Sequence, residues 1–446
     1  MRQDAERGST DSSLGQGEGW NGARTPPAFS ELAWVLALFG TAIGAGILYL
    51  PLQAGSGSLW ALILLGALIF PLVYLSHRSV LEMLLLGDGE QDYAGVAGRY
   101  LGGGLDWVLL LVFLITFQAV LASYAIGLNT NLGEYLHQQG WTASNWAQQP
   151  YLSLAILLGF ALLYWIGQGL LLRLMSLISG LLIVALLGLS VYLIPFWDLS
   201  RFTAPVSALR LVDDMLLVLP ILTFSFIFFP AMSSMVMALK RAHRDWPQGG
   251  EVRLKRVVLT TSALLLLFVL FFVFSCILAL TPAELEAGSE ANLNGLTILS
   301  HKEGLSPILA QIGTPIGLCA LFTSFAGVFL AVRDSAQEVI HRLGGGGGPM
   351  VTRRWSECLL LVLVLGLAWG MTIANPSIIK AFGMLIAPLV GVFIFILPVV
   401  VLVRARSFGN LRKPSQLFVL LMGVLTLFAY DIGAWLQHGL SGLPAG

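Results

Sequence analysis

Eleven predominantly apolar runs divide the 446-residue chain, at 32–53, 57–84, 107–134, 151–168, 171–194, 212–238, 257–280, 306–340, 354–374, 377–403 and 415–436. A helix rising about 1.5 Å per residue needs roughly 20 apolar residues to cross a hydrocarbon core about 30 Å thick. Spanning β-strands would alternate apolar and polar residues, whereas stretches such as VALLGLSVYLI (184–194) are continuous. The runs therefore read as helices of an all-α integral membrane protein. Composition agrees: 57% of residues are hydrophobic, only 11% are charged and the mean hydropathy is +0.84, which excludes an ordinary soluble domain.

Charge sets the expected topology. Counted with the N-terminus inside, 20 of the 24 Lys and Arg residues fall in cytoplasmic segments, and only Arg201, Arg210, Lys302 and Lys380 fall outside. That asymmetry predicts a cytoplasmic N-terminus and an external C-terminus in the cytoplasmic (inner) membrane. The basic loop KRAHRDWPQGGEVRLKR (240–256) reads as a topology determinant and the acidic loop PAELEAGSEANLNG (282–295) as external. No nucleic-acid partner is expected.

Residues 1–31 are rich in Gly, Ser, Asp and Glu and read as a disordered cytoplasmic tail. They lack the pattern of a cleaved signal, so the first span is expected to persist as a helix. Cys276, Cys319 and Cys358 lie in apolar runs without metal-type spacing and are expected to be buried, inert thiols. The glycine run at 344–348 reads as a flexible connector.

Span one contains GTAIGAGILYLP (40–51), with three glycines and a proline. Gly40 and Gly44 form a small-xxx-small pair that would let a neighbouring helix approach. The alternative is an unwound segment, tolerated at that depth only where it lines a cavity or is buried in protein. Span six reads LVLPILTFSFIFFPAMSSMVMALK (217–240), with Pro220 and Pro230 flanking TFSFIFF. Interrupted helices that open each half of a chain point to a transporter built from inverted repeats, with its substrate between them. The halves are 32–194 and 212–403, with a final helix at 415–436.

The motifs GTAIGAGILYLPLQAG (40–55), FPLVYLSHRSV (70–80), FFVFSCILALTPAEL (271–285), SFAGVFLAVRD (324–334) and ANPSII (374–379) occur in the order found in one family. Over about residues 32–430 the chain resembles the serine and threonine transporter branch of the hydroxy and aromatic amino acid permeases. The resemblance implies eleven helices in a leucine-transporter-type five-plus-five inverted repeat with broken helices 1 and 6. It further implies ion-coupled import of a small neutral amino acid, with no other cofactor.

Two departures from the family pattern bear on that expectation. Where the family typically has Asn-His-Ser, this chain has Ile227, Phe228 and Phe229, and where it usually has Lys-Ser-Phe followed by Gly-His, this chain has Thr323, Ser324 and Phe325 and later Gly327 and Val328. The first removes hydrogen-bonding groups from the substrate region, which leaves a more apolar or aromatic amino acid, or a sensor without net transport, as open alternatives. The second replaces an ammonium with hydroxyls suited to a hard cation.

The expected substrate site comprises Thr41, Ala42, Gly44, Ala45, Gly46, Gln118, Tyr124, Phe224, Ser225, Phe226 and Phe228. The carboxylate would sit on the amides of residues 44–46 and the ammonium on the carbonyls of 224–226. By analogy with the leucine-transporter type, a Na⁺ site would combine the carbonyls of Gly40 and Ile43 with the hydroxyls of Thr323 and Ser324. The other reading of those hydroxyls is local bonding to helix carbonyls, and H⁺ remains open as the coupling ion. Glu82, Asp106, Glu134, Asp334 and Asp431 lie near span ends, and the six histidines are read at span ends or in loops. No nucleophile–base pair or ligand cluster suggests an enzyme, and no selectivity-filter repeat suggests a channel.

Overall fold

The computed structural model describes residues 30–55, 57–87, 93–102, 104–166, 168–203, 205–242, 249–343, 350–405 and 413–440. Residues 1–29 of the tail, the loop centre at 243–248 with His243, the glycine run at 344–348, and the side chains of Asp106, Asp334, His341 and His438 lie outside these.

Among the described residues the fold is helical and contains no strand. The first apolar run is two helices, α1 (Glu31–Ala42) and α2 (Ala45–Gly55), which meet at a 52° bend. Next come α3 (Leu59–Leu84), the short α4 (Tyr93–Leu101), α5 (Leu105–Gln138), α6 (Pro150–Ile166) and α7 (Gln168–Tyr192). The sixth run is again split, into α8 (Ala208–Phe224) and α9 (Met232–Ala242), with irregular backbone and a 3₁₀ turn at Phe229–Ala231 between them. After α10 (Gly250–Ala279) the acidic loop folds as α11 (Pro282–Glu290) and α12 (Gly295–His301), followed by α13 (Pro307–Leu343) and α14 (Met350–Ala374). The tenth run is α15 (Ile378–Ala381), α16 (Ala387–Gly391) and α17 (Leu397–Ala405), joined by π turns at Phe382–Ile386 and Val392–Ile396, and α18 (Pro414–Leu440) follows.

Among the described residues seven helical spans are long and apolar enough to cross a membrane, with α8 and α9 together counting as one and α15 to α17 as another, and the bent pair α1 with α2 passes together as an eighth. Pro150–Ile166, Leu177–Tyr192 and Cys358–Ala374 are shorter apolar stretches. Leu177, Leu181 and Val184 of α7, and Leu359, Val362 and Leu363 of α14, lie exposed at helical spacing. Such stripes match a hydrocarbon solvent and not water; the chain is a multi-pass membrane protein. Of the three cysteines only Cys276 is fully buried, while Cys319 and Cys358 are half-buried because they sit on faces that the bundle does not close.

The centre of the bundle is α5 against α13, with α8 packed on α2, α3 and α18. At one end, a buried amide network locks the loop helices down. Asn131 of α5 accepts from the Asn294 backbone N–H (3.0 Å) and side chain (2.8 Å), and gives its own N–H to the Tyr49 hydroxyl (3.3 Å) of α2. Tyr49 in turn donates to the Asn292 carbonyl at 3.2 Å, and the Asn292 side chain accepts from Ile378 N–H at 3.0 Å. Asn294 also caps α12 by accepting from Leu296 and Thr297.

Two loop residues tighten the same end. The half-buried Arg201 donates to the carbonyls of Ile277 (2.6 Å), Leu280 (3.4 Å) and Gly55 (2.5 Å), closing the C-terminal ends of α2 and α10 together. Glu284 closes the capping box of α11 with Thr281 and pairs with Lys302 at 3.1 Å. Burial works to raise the Glu284 pKa, but the bonds from Thr281 and Lys302 outweigh it and hold the carboxyl below the usual glutamate range.

Charge-assisted hydrogen bonds are worth about 1.5–3 kcal/mol each in mutational series. Arg201→Ala is therefore expected to destabilise the protein by about 2–4 kcal/mol, read as a lower thermal midpoint in detergent. Because the folded pKa of Glu284 is depressed, its contribution is complete above the unfolded glutamate value and is lost as pH falls through the folded one. Protease nicking of the 281–302 loop should accordingly accelerate below about pH 4, and Glu284→Gln should show the fast rate already at neutral pH.

Candidate substrate site at two helix breaks

The chain leaves helical geometry at Ile43, whose φ of −71° and ψ of 101° are extended. Helix resumes at Ala45, so the first N–H groups of α2 have no acceptor four residues earlier in the same helix. The Ile43 carbonyl, released by the same break, accepts from the Ser324 hydroxyl of α13 at 3.3 Å. A Cβ at Gly44 would collide with that hydroxyl and would stand 3.4 Å from the Tyr124 hydroxyl. The Tyr124 and Ser324 hydroxyls both border Gly44. Gly44, Tyr124 and Ser324 thus converge from three helices on the first break.

The second break begins where α8 ends. Pro220 lies inside α8 without stopping it, and the helix ends instead at Ser225, whose hydroxyl donates to the Ile221 carbonyl at 2.8 Å. Phe226 and Ile227 turn back on Thr223 and Phe224 through N–H bonds of 3.1 and 3.2 Å. Pro230 sits at the start of the 3₁₀ turn, where its missing N–H costs nothing.

The two breaks touch. A Cβ on Gly46 would stand 2.9 Å from Ser225 Cα and 3.0 Å from the Phe224 ring. Only a residue without Cβ permits this approach, so the N-terminal end of α2 abuts the C-terminal end of α8. Their half-helix dipoles carry opposite partial charges, worth about 0.3–1 kcal/mol to an exposed ion and up to about 2 kcal/mol where the ion is partly buried.

Other expected residues are placed elsewhere. Ala42 is buried beside the break, but Thr41 is exposed and its hydroxyl returns to the Ala37 carbonyl at 2.8 Å. Gln118 donates to the Val364 carbonyl of α14 at 3.0 Å. Phe228 is fully buried. Of the four expected ion ligands, only Ile43 and Ser324 meet. Thr323 bonds back to the Ala320 carbonyl at 3.0 Å, and Gly40 faces Ser179 of α7.

Several residues escaped the sequence reading. His77 is not at a span end: it lies within α3, fully buried, with Nε2 accepting from the Phe228 N–H at 3.1 Å. The signal for it was an ionisable residue inside an apolar run, by itself a pointer to function. Phe382 of the first π turn packs on Phe224 with ring centroids 4.6 Å apart. Asp213 and Asp214 are buried near the start of α8, and Asp214 accepts from Ser58 N–H at 2.7 Å, tying α8 to the α2–α3 turn.

The contrast between the two glycines is testable. Gly46→Ala sets a Cβ against backbone, which cannot be relieved locally, and should reduce ligand binding or transport by at least about tenfold, the effect of roughly 1.4 kcal/mol. Gly44→Ala meets mainly the Ser324 side chain, so Ser324→Gly should restore part of its lost thermal stability but none of that lost by Gly46→Ala. Paired melting curves of the single and double variants check this.

Residues 30–430 match the tryptophan/tyrosine permease family. The chain is 28% identical over 409 residues to the serine transporter SdaC of Escherichia coli strain K12, covering 90% of this chain and 94% of that protein. It is 28% identical over 420 residues to the threonine/serine transporter TdcC of Edwardsiella tarda, covering 89% and 94%. Among solved structures, MhsT in complex with L-phenylalanine superposes with a TM-score of 0.57 at 16% identity, over 92% of this chain and 99% of that one. The fold is thus of the leucine-transporter type, with its first and sixth helices broken. The chain belongs to the tryptophan/tyrosine permease family.

Proposed function

We propose that this chain is a secondary active transporter that carries a small neutral amino acid of the serine and threonine kind across the cytoplasmic membrane, driven by a coupling ion. The observation that supports this best is the meeting of Gly46 and Ser225, which sets a half-helix N-terminus against a half-helix C-terminus. A zwitterion carries the complementary pair of charges. Its carboxylate takes the free amides at Gly44, Ala45 and Gly46, and its ammonium takes the carbonyls of Ser225 and Phe226. The Phe224 carbonyl is already engaged by Ile227 N–H. Tyr124 and Ser324 supply hydroxyls beside the first break, and Phe224 with Phe382 forms an apolar wall.

No bond is made or broken in such a cycle, so the work lies in differential binding as the site opens to one side and then the other. The relatives named for serine and threonine support the substrate class. The N-terminus is cytoplasmic and the C-terminus external in this reading, from the distribution of Lys and Arg. Residues 32–194 and 212–403 are its two inverted repeats. A second reading, a more apolar or aromatic substrate, draws support from Gln118, whose amide is turned onto the Val364 carbonyl and leaves few side-chain donors for a substrate hydroxyl. The sodium set is reduced to Ile43 and Ser324, which already satisfy each other.

Counterflow in proteoliposomes tests the transport reading without prejudging the ion. Vesicles preloaded with unlabelled serine should transiently concentrate labelled serine above its equilibrium level, and threonine should compete better than leucine or phenylalanine. Counterflow of phenylalanine or leucine but not serine would favour the second reading. Absence of counterflow for every amino acid in the panel would overturn transport.

A further inference from the structure

We propose that Phe382, the first residue of a π turn in span ten, sets the size limit on the substrate side chain by holding the Phe224 ring at the junction of the two helix breaks. The inference rests on the transport reading and deepens it by naming the residue that restricts the substrate to small side chains.

In that reading the start of α2 and the end of α8 take the two charged groups of the amino acid, so its side chain lies against whatever stands beside their junction. Phe224 stands there: a carbon of its ring lies 3.0 Å from the position that a Cβ on Gly46 would occupy. The residue is half-buried. Against it rests Phe382, fully buried, with ring centroids 4.6 Å apart and planes at 49°. Phe224 is the contact surface, and Phe382 is a positioning residue that supports it.

The support is built from irregular backbone. Ala387 N–H reaches back five residues to the Phe382 carbonyl, and Pro388, which follows, has no N–H with which to restore the four-residue pattern. The turn thus accommodates one residue more than a regular helix would, and single π turns inside α-helices are rare and concentrate at functional sites. A second turn of the same kind, Val392–Ile396, precedes Pro398. There Leu397 N–H goes to the Val392 carbonyl, and the Phe393 carbonyl, left without a helical donor, takes the Tyr93 hydroxyl of α4.

A wall limits size only if it cannot retreat, and span ten is held at three points around Phe382. Before it, Ile378 N–H is bonded to the Asn292 side chain at 3.0 Å. Beside it, Gly383 lies so close to α18 that a Cβ there would collide with the Tyr430 ring, which leaves no gap between the two spans. Beyond it, Tyr93 holds the Phe393 carbonyl. Close-packed interiors of this kind transmit strain and do not absorb it. A bulky side chain at the junction has to push Phe224 into Phe382, and Phe382 into a span without slack. Serine and threonine ask least of this wall.

The test compares wild type with Phe382→Ala by the thermal stabilisation that each amino acid gives in detergent, a measure of binding that needs no transport. Wild type should be stabilised by serine and threonine and not by leucine or phenylalanine. In Phe382→Ala leucine should stabilise too, and the ratio of serine to leucine affinity should fall by at least about tenfold, since one methylene in a fitted pocket is already worth about 10–200-fold. A purely structural role would weaken every amino acid together and leave that ratio unchanged. An unchanged ratio in folded Phe382→Ala would overturn the proposal while leaving the transport reading intact, and leucine stabilising wild type as well as serine does would also overturn it. If the alanine variant does not fold, Phe382→Leu, which keeps an apolar side chain and removes the ring, decides by the same ratio. Counterflow keeps the two claims apart: its absence from wild type for every amino acid ends the transport reading, and the affinity ratio still decides the size limit.

Discussion

Gly46 has no side chain, and for that reason the start of α2 can rest against Ser225 at the end of α8. Neither end has water to turn to at membrane depth, and unpaired backbone there is costly unless protein supplies partners. The partners come from three directions. Ser324 of α13 serves the Ile43 carbonyl, His77 of α3 serves the Phe228 amide, and the Phe224 carbonyl takes the Ile227 N–H. What remains, the first amides of α2 and the last carbonyls of α8, forms a dipolar pair that a zwitterion can replace. The helices α3 and α13 are thereby tied to the breaks by hydrogen bonds as well as by packing.

A second polar assembly governs the end of the bundle that carries α11 and α12. Asn131, Tyr49, Asn292 and Asn294 form a continuous buried chain linking α2, α5, α12 and α15. Fully satisfied networks of this kind rigidify and specify a single arrangement, whereas a partly satisfied one is worse than an apolar core. Tyr49 belongs to the same half-helix, α2, that begins at the first break. Tyr49 thus ties that half-helix to α5 and to the loop that carries α11 and α12.

The sequence disclosed most of the architecture because hydrocarbon thickness imposes a length on every span, and glycine and proline mark where helices fail. Gly44, Gly46, Tyr124, Ser225 and Ser324 do come together. Thr41, Gln118, Thr323 and Gly40 do not, since the rotation of a helix about its axis depends on packing that spacing alone does not define. Small hydroxyls have a local alternative in the carbonyl three or four residues back, and Thr41 and Thr323 both take it. The π turns of the tenth run were legible in retrospect: each ends two residues before a proline, Pro388 and Pro398, whose missing N–H removes a regular helical bond. His77 was misread because an apolar run containing Ser, His and Arg resembles a span approaching its end.

The run Ile227–Phe228–Phe229 is one of the places where the chain departs from the pattern it resembles, and the structure gives that departure a consequence. None of these side chains can accept a hydrogen bond, so the break cannot satisfy its own amides through local side-chain contacts. The acceptor must come from a facing helix, and the Phe228 amide finds one in His77. Aromatic bulk makes the arrangement self-consistent: Phe228 covers the imidazole face, and Phe229 packs against Tyr93 of α4 at a centroid distance of 5.3 Å. Losing polar groups from the break therefore does not simply make the substrate region apolar. It transfers control of the break's backbone from the break itself to a single imidazole on the neighbouring span, whose nitrogen accepts the hydrogen bond on which the local geometry rests.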